Sequence, residues 1–168
     1  IGEPLCALLS TAGYEVIKLV RRAPQGEGER AWPTPSEVPD LSDVYAVIHL
    51  AGESVAQRWS TATKERILKS RVERTQALSE ALKCAHQEGK PAPQHLICAS
   101  AVGYYGAHPE LGEALDEQAP QGEGFLAEVC AAWERACEPA LLVEVLTSFG
   151  FEADHCEAPD LCEGQLCG

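Results

Sequence analysis

The chain has 168 residues, 45% hydrophobic and 23% charged, and a formal net charge of −13. That length supports one domain with a proper core and argues against a second full one. No apolar run approaches the roughly 20 residues of a membrane span, and an acidic surface repels phosphate backbones, which argues against nucleic acid as a partner.

The elements follow in chain order. "IGEPLCALLSTAG" predicts a short helix, with Leu5, Leu8 and Leu9 on one face and Gly13 as its stop. "YEVIKLV" reads as a strand ending at Arg21–Arg22, and residues 23–42, rich in Pro, Gly and Glu, read as a loop. "VYAVIHLAG" is a near-continuous apolar run, as expected of a strand buried on both faces of a parallel sheet. Residues 60–87 form the longest helix candidate, with Ser60 as N-cap and Leu68, Val72, Thr75, Leu78 and Leu82 as its apolar stripe. "QHLICASA" is a further strand, 107–122 a loop, and "GFLAEVCAAWERAC" a second amphipathic helix. Past Ala140 the pattern weakens; "LLVEVLTSFGFEA" reads as either strand or short helix. Alternation of helices and strands predicts an α/β fold around a parallel sheet.

Charge and cysteines divide the chain unevenly. Residues 1–106 hold 12 acidic and 12 basic side chains, whereas 107–168 hold 14 acidic ones and the single base Arg135. Cys6, Cys84, Cys98 and Cys130 lie in apolar contexts, where a free thiol behaves as a small hydrophobe, and this usage fits a reducing compartment. Cys137, Cys156, Cys162 and Cys167 fall near or within the acidic tail beside His155, but their spacing matches no paired zinc knuckle, and no metal site is expected.

Four blocks, "YEVIKLVRRAP", "VIHLAGESVAQRWSTATKERILKSRVERT", "ASAVGYYG" and "LDEQAPQGEGFLAEVCAAWERA", resemble the epimerase-like branch of the extended short-chain dehydrogenase/reductases, some of whose members carry the label cell division inhibitor. The resemblance runs from Ile1 to about Ala136. It implies a Rossmann-type doubly wound parallel sheet that binds NAD(P), followed in the family by a smaller substrate domain. Gly2 would match the last glycine of the pyrophosphate-binding turn. The chain is expected to be truncated before the family's first strand and to lack the substrate domain, giving a partial Rossmann domain over 1–137 and a divergent, poorly ordered acidic Cys-containing tail over 138–168. Cofactor binding by the chain as it stands is expected to be weak.

The resemblance also assigns roles. Arg21 and Arg22 end the second family strand, where a guanidinium suits the 2′-phosphate of NADP; NAD remains possible. Leu50, Ala51 and Gly52 end the next strand beside the adenosine, and Arg71 stands where relatives more often carry a cofactor-facing Asn. Ser100 matches the family serine, and Tyr105–Gly106 the Tyr-Gly pair after it. The proton-transfer Tyr and its activating Lys, four residues on, belong on the following helix, where an ammonium depresses the phenol pKa. Those positions hold Leu126 and Cys130. Tyr104 or Tyr105 could transfer a proton without a lysine, or stack on the nicotinamide end without doing so; Cys130 is either a thiol at the Lys position or a core residue.

The resemblance therefore implies an NADP-preferring epimerase-like oxidoreductase whose substrate is a small polyhydroxylated or nucleotide-linked molecule. Two alternatives stand beside it: a non-catalytic dinucleotide-sensing or regulatory protein, and a nonfunctional truncated product. The expected locations are the cytoplasm or an organelle matrix, mitochondrial or plastid.

Overall fold

The structure, a computed structural model, describes residues 1–106, 115–141 and 146–149. Helix α1 (Gly2–Thr11) leads to strand β1 (Lys18–Val20), and β2 (Glu29–Ala31) follows. Then come β3 (Ala46–His49), the long helix α2 (Thr61–Gln87) and β4 (His95–Cys98). A single helical turn (Val102–Tyr105) precedes α3 (Phe125–Arg135), the short α4 (Glu138–Leu141) and β5 (Leu146–Phe149). Among the described residues the strand pairings are parallel: β1 with β2 in one sheet, and β3-β4-β5 in another.

The order of the helices and main strands follows the sequence pattern, and three details differ from it. The Pro-rich stretch 23–42 contains β2, a three-residue strand too short to show any periodicity. It exists through pairing, Lys18 opposite Glu29 and Val20 opposite Ala31, and Trp32 N–H continues the ladder to Val20 O at 2.7 Å. The chain also passes residue 137 into α4 and β5, whose Leu146–Phe149 lie opposite His95–Cys98. The tail residues 150–168, with His155, Cys156, Cys162 and Cys167, lie outside the described residues.

The third difference concerns burial. Strands β3 and β4 alternate instead of burying both faces: Val47, His49, Leu96 and Cys98 are buried, whereas Ile48 and Ile97 are 36% and 41% exposed. Side chains alternate across a strand, so one sheet face packs while the other stays open among the described residues. Helix α1 buries no residue at all.

The packed face meets α2 and α4. Its core joins Val47, Leu96 and Cys98 to Leu78 and Leu82 of α2, to Cys137 and Ala140, and to Trp32 and Leu41. Ser60 caps α2 as expected, its Oγ accepting Thr63 N–H at 3.2 Å. The buried stripe of α2 is rotated from the apolar one: Thr63, Ile67, Thr75, Leu78, Ser79 and Leu82 are buried, while Leu68 and Val72 are half-buried. Thr75, expected on the stripe, and Ser79, which hydropathy misses, both satisfy their hydroxyls within the helix, donating to Arg71 O (2.7 Å) and Thr75 O (2.8 Å). Cys84 is exposed and Cys6 half-buried, whereas Cys98, Cys130 and Cys137 are buried, so the core thiols are only partly those expected.

Candidate functional site

Because the strands are parallel, the segments after β1, β3 and β4 leave the carboxyl ends of their strands, where ligands of open α/β sheets bind. The first carries Arg21 and Arg22. Arg22 is committed: its guanidinium forms a bidentate pair with Glu29 (2.7 and 2.6 Å), and this pairing, helped by the Gln25 amide, pulls the Glu29 carboxyl down to about 2. The expected phosphate-facing role for Arg22 conflicts with that pairing, which occupies both terminal nitrogens. Arg21 has no hydrogen bond or ion pair among the described residues. Its charge acts on Arg74 of α2, which stacks on Trp32 (4.9 Å) and donates to the carbonyls of Trp32 and Pro33 at 3.0 and 2.9 Å.

The segment after β3, Leu50–Gly52, is exposed, and a Cβ on Gly52 would stand 2.9 Å from Cζ of Arg71. The guanidinium occupies the space that a side chain at 52 would need. Arg71 Nη1 donates to Glu53 O (3.0 Å) and Ile67 O (3.1 Å), and the cation lies 5.2 Å from the Trp133 ring centre. Burial holds its pKa below the ordinary arginine value, with Cys130 and Glu53 opposing the shift. Gly2 opens α1, and a Cβ placed there would meet nothing within 4 Å.

The segment after β4 holds the serine and the tyrosine pair. Tyr104 and Tyr105 sit on the helical turn with their rings edge to face, 5.4 Å apart. The turn is closed by glycines: Gly106 adopts φ +70°, and a Cβ there would come within 2.7 Å of Glu123 O. Gly122 N–H donates to Tyr104 O at 2.9 Å, and a Cβ at 122 would overlap the Tyr105 carbonyl. Tyr105 donates its hydroxyl to Asp116 O at 3.0 Å. Burial, then the nearby carboxylates Glu117, Asp116 and Glu134, push its phenol above the ordinary value, the reverse of what an activating lysine does.

Gly103 of the turn packs against helix α3, where its Cβ would lie 3.2 Å from Leu126 Cβ and 3.6 Å from Cys130 Sγ. Positions 126 and 130, which the resemblance matches to Tyr and Lys, thus face the backbone of the turn. Cys130 is buried; desolvation and Glu134 raise its thiol pKa, and Arg71 and the Ala101 amide only partly offset this. The thiol form is favoured, which fits a core residue better than a nucleophile.

Ser100 Oγ donates to Glu134 Oε1 of α3 at 2.5 Å. Glu134 also acts electrostatically on Tyr105, Cys130 and Cys137, so it links Ser100, the tyrosine turn and Cys130. Sequence reasoning missed it as a site residue. The signal was present: Leu126, Cys130 and Glu134 recur every four residues on one helix face. Beside Glu134 lies a cavity of about 280 Å³ lined by Tyr104, Gln121, Glu134, Arg135 and Glu138, among others.

Parallel strands with helix α2 crossing between β3 and β4, and polar loops at the strands' carboxyl ends, define a Rossmann-like α/β domain. Residues 1–133 match the model of the NAD dependent epimerase/dehydratase family, and the chain belongs to that family. It is 42% identical over 144 residues to the epimerase family protein Mb2239 of Mycobacterium bovis, covering 83% of this chain and 45% of the relative. It is 34% identical to the epimerase family protein SDR39U1 of Bos taurus, over 81% and 45% of the two chains. Among solved structures, a nucleoside-diphosphate sugar epimerase from Corynebacterium glutamicum superposes with a TM-score of 0.70 at 38% identity, covering 88% of this chain and 30% of that one. Human SDR39U1 (isoform 2) with NADPH gives 0.66 at 30% identity, covering 81% and 44%. The chain spans about 45% of the length of these curated relatives. No described helix is long and apolar enough to cross a membrane, and no group of three or more His, Cys, Asp or Glu among the described residues could hold a metal ion.

Proposed function

We propose that this chain is part of the dinucleotide-binding domain of an epimerase-like oxidoreductase that prefers NADP and acts on a small polyhydroxylated or nucleotide-linked molecule. The observation that carries the reading is the division between two adjacent arginines. Glu29 takes both terminal nitrogens of Arg22 that face it, whereas Arg21 keeps its guanidinium free of partners among the described residues. A free guanidinium at the end of that strand suits a 2′-phosphate through paired, charge-assisted hydrogen bonds. The NADPH held by human SDR39U1 and the name of the Corynebacterium protein support the cofactor and substrate class.

The residues present fit a dinucleotide in part. Gly52, past the end of β3, gives the Arg71 guanidinium the space a side chain would take, and Gly2 starts a ten-residue helix whose first amides have no side-chain cap. A bound nicotinamide dinucleotide supplies hydride transfer. The chain's own residues bind and orient: Arg21 recognises the phosphate, Leu50–Gly52 border the adenosine, Arg71 braces that loop, and Ser100 with the tyrosine turn borders the reacting end.

A second reading, a dinucleotide-responsive regulator without turnover, is favoured by one observation. The helix positions matched to Tyr and Lys carry Leu126 and Cys130 packed on Gly103. The test of the first reading is a pair of titrations with NADPH and NADH. Arg21→Ser is expected to weaken NADPH about tenfold, the loss of a hydrogen bond to a charged group, and to leave NADH unchanged, while Arg22→Ser leaves both ligands nearly unchanged. Equal loss for both ligands, or a larger loss from Arg22→Ser, would overturn it.

A further inference from the structure

The site lacks the family's Tyr and Lys pair, yet it holds one hydroxyl already donating to a carboxylate. Ser100 leaves the end of β4, and Glu134 reaches it from α3 at 2.5 Å. A serine has one proton to donate, and here it points at Glu134, so the remaining lone pairs of Oγ can only accept. The carboxylate lies on the wall of the cavity beside Tyr104. We propose that Ser100 and Glu134 form an acid–base pair in which Glu134 receives the Ser100 proton and Ser100 Oγ removes a proton from a hydroxyl seated beside it.

The step balances within the chain and its ligand. The ligand hydroxyl gives its proton to Ser100 Oγ, Ser100 passes its own proton to Glu134 Oε1, and the electron pair of the broken O–H bond stays on the ligand oxygen. Glu134 ends as a carboxylic acid and Ser100 as a hydroxyl. In reverse, the pair protonates an oxyanion. Tyr105 is not needed as the proton carrier, and its hydroxyl is engaged with Asp116 O. The groups surrounding Glu134 are Cys130 and Cys137 on its own side, Tyr105 from the turn, and Arg135 and Glu138 around the cavity. Burial and carboxylates favour the protonated forms of Cys130 and Tyr105, so neither competes as a base.

A hydrogen-bonded clamp between β4 and α3 would have the same geometry, so the test must separate holding from proton transfer. The probe is aminoethyl-benzenesulfonyl fluoride, whose ammonium suits a cavity bordered by Glu134 and Glu138. Ser100 Oγ bonds to sulfur, fluoride leaves, and the proton goes to Glu134. Mass spectrometry of the intact chain is expected to find one adduct, on Ser100. Glu134→Gln retains an acceptor oxygen for the Ser100 hydroxyl but takes no proton, so its melting temperature should hold while labelling slows by about a hundredfold or more, the low end of what a lost general base costs. Glu134→Asp, a shorter carboxylate, should recover part of the rate. No adduct on Ser100, or equal rates in wild type and Glu134→Gln, overturns the proposal. NADPH titration of the same samples reports separately on the dinucleotide reading, since neither the adduct nor its rate requires that ligand.

Discussion

His49 is 4% exposed at the end of β3, its ring 5.9 Å from that of Trp32, and its Nε2 has no hydrogen-bond partner among the described residues. Burial, and secondarily the Arg74 charge, pull its pKa to about 4. Against an unfolded value of about 6.5, the folded state disfavours the proton. Stability is therefore complete above pH 6.5 and declines as pH falls toward 4. Linkage over that window gives a loss of about 2 kcal/mol between pH 7 and 5, and about 3 kcal/mol between pH 7 and 4. His49→Leu removes the titrating group and the unpaired nitrogen together. Urea unfolding of both proteins at pH 7, 6, 5 and 4.5 isolates the term, because the carboxylate titrations are common to both. The variant should be as stable as wild type or more so at pH 7, with a visibly flatter acid profile. Parallel profiles would show that His49 takes up its proton without cost, and the burial argument would fail.

Three further outcomes follow from the packing. Gly122→Ala places a Cβ into the Tyr105 carbonyl and should destabilise the chain by about 1–3 kcal/mol, read from thermal melts, through forced backbone displacement; an unchanged melt would show the tyrosine turn is not held there. Ser60→Ala removes the cap of α2 and should cost about 1 kcal/mol in urea unfolding; no change would mean the cap is not formed. Under native conditions at pH 8, iodoacetamide should modify the exposed Cys84 before Cys98, Cys130 and Cys137, which become reactive on denaturation; early labelling of Cys130 would contradict its burial.

The sequence made the helices and main strands legible where apolar spacing was long, as in α2 and α3. It did not reveal β2, whose three residues are strand only because Val20 and Ala31 find each other across the chain. Nor could hydropathy place Ser79 in the core, since its hydroxyl is silenced by the helix's own Thr75 carbonyl. In the site, the family blocks brought Ser100, the tyrosines, Arg71 and Cys130 into one neighbourhood. What they left open was partnership: that Glu29 claims Arg22, that Asp116 claims the Tyr105 hydroxyl, and that Glu134 meets Ser100. Each of these is a contact between segments 7 to 34 residues apart, and residue identity alone does not state it.

We propose that a dinucleotide lies along the carboxyl ends of the strands. A titration of the isotope-labelled chain with NADPH, followed through its backbone amide signals, tests this most directly. Saturable shifts are expected at Gly2, Arg21, Gly52 and the Ser100–Tyr105 segment. Absence of saturable shifts, or shifts gathered instead at the opposite strand ends around the hydrogen-bonded Tyr45 and His95, would contradict it.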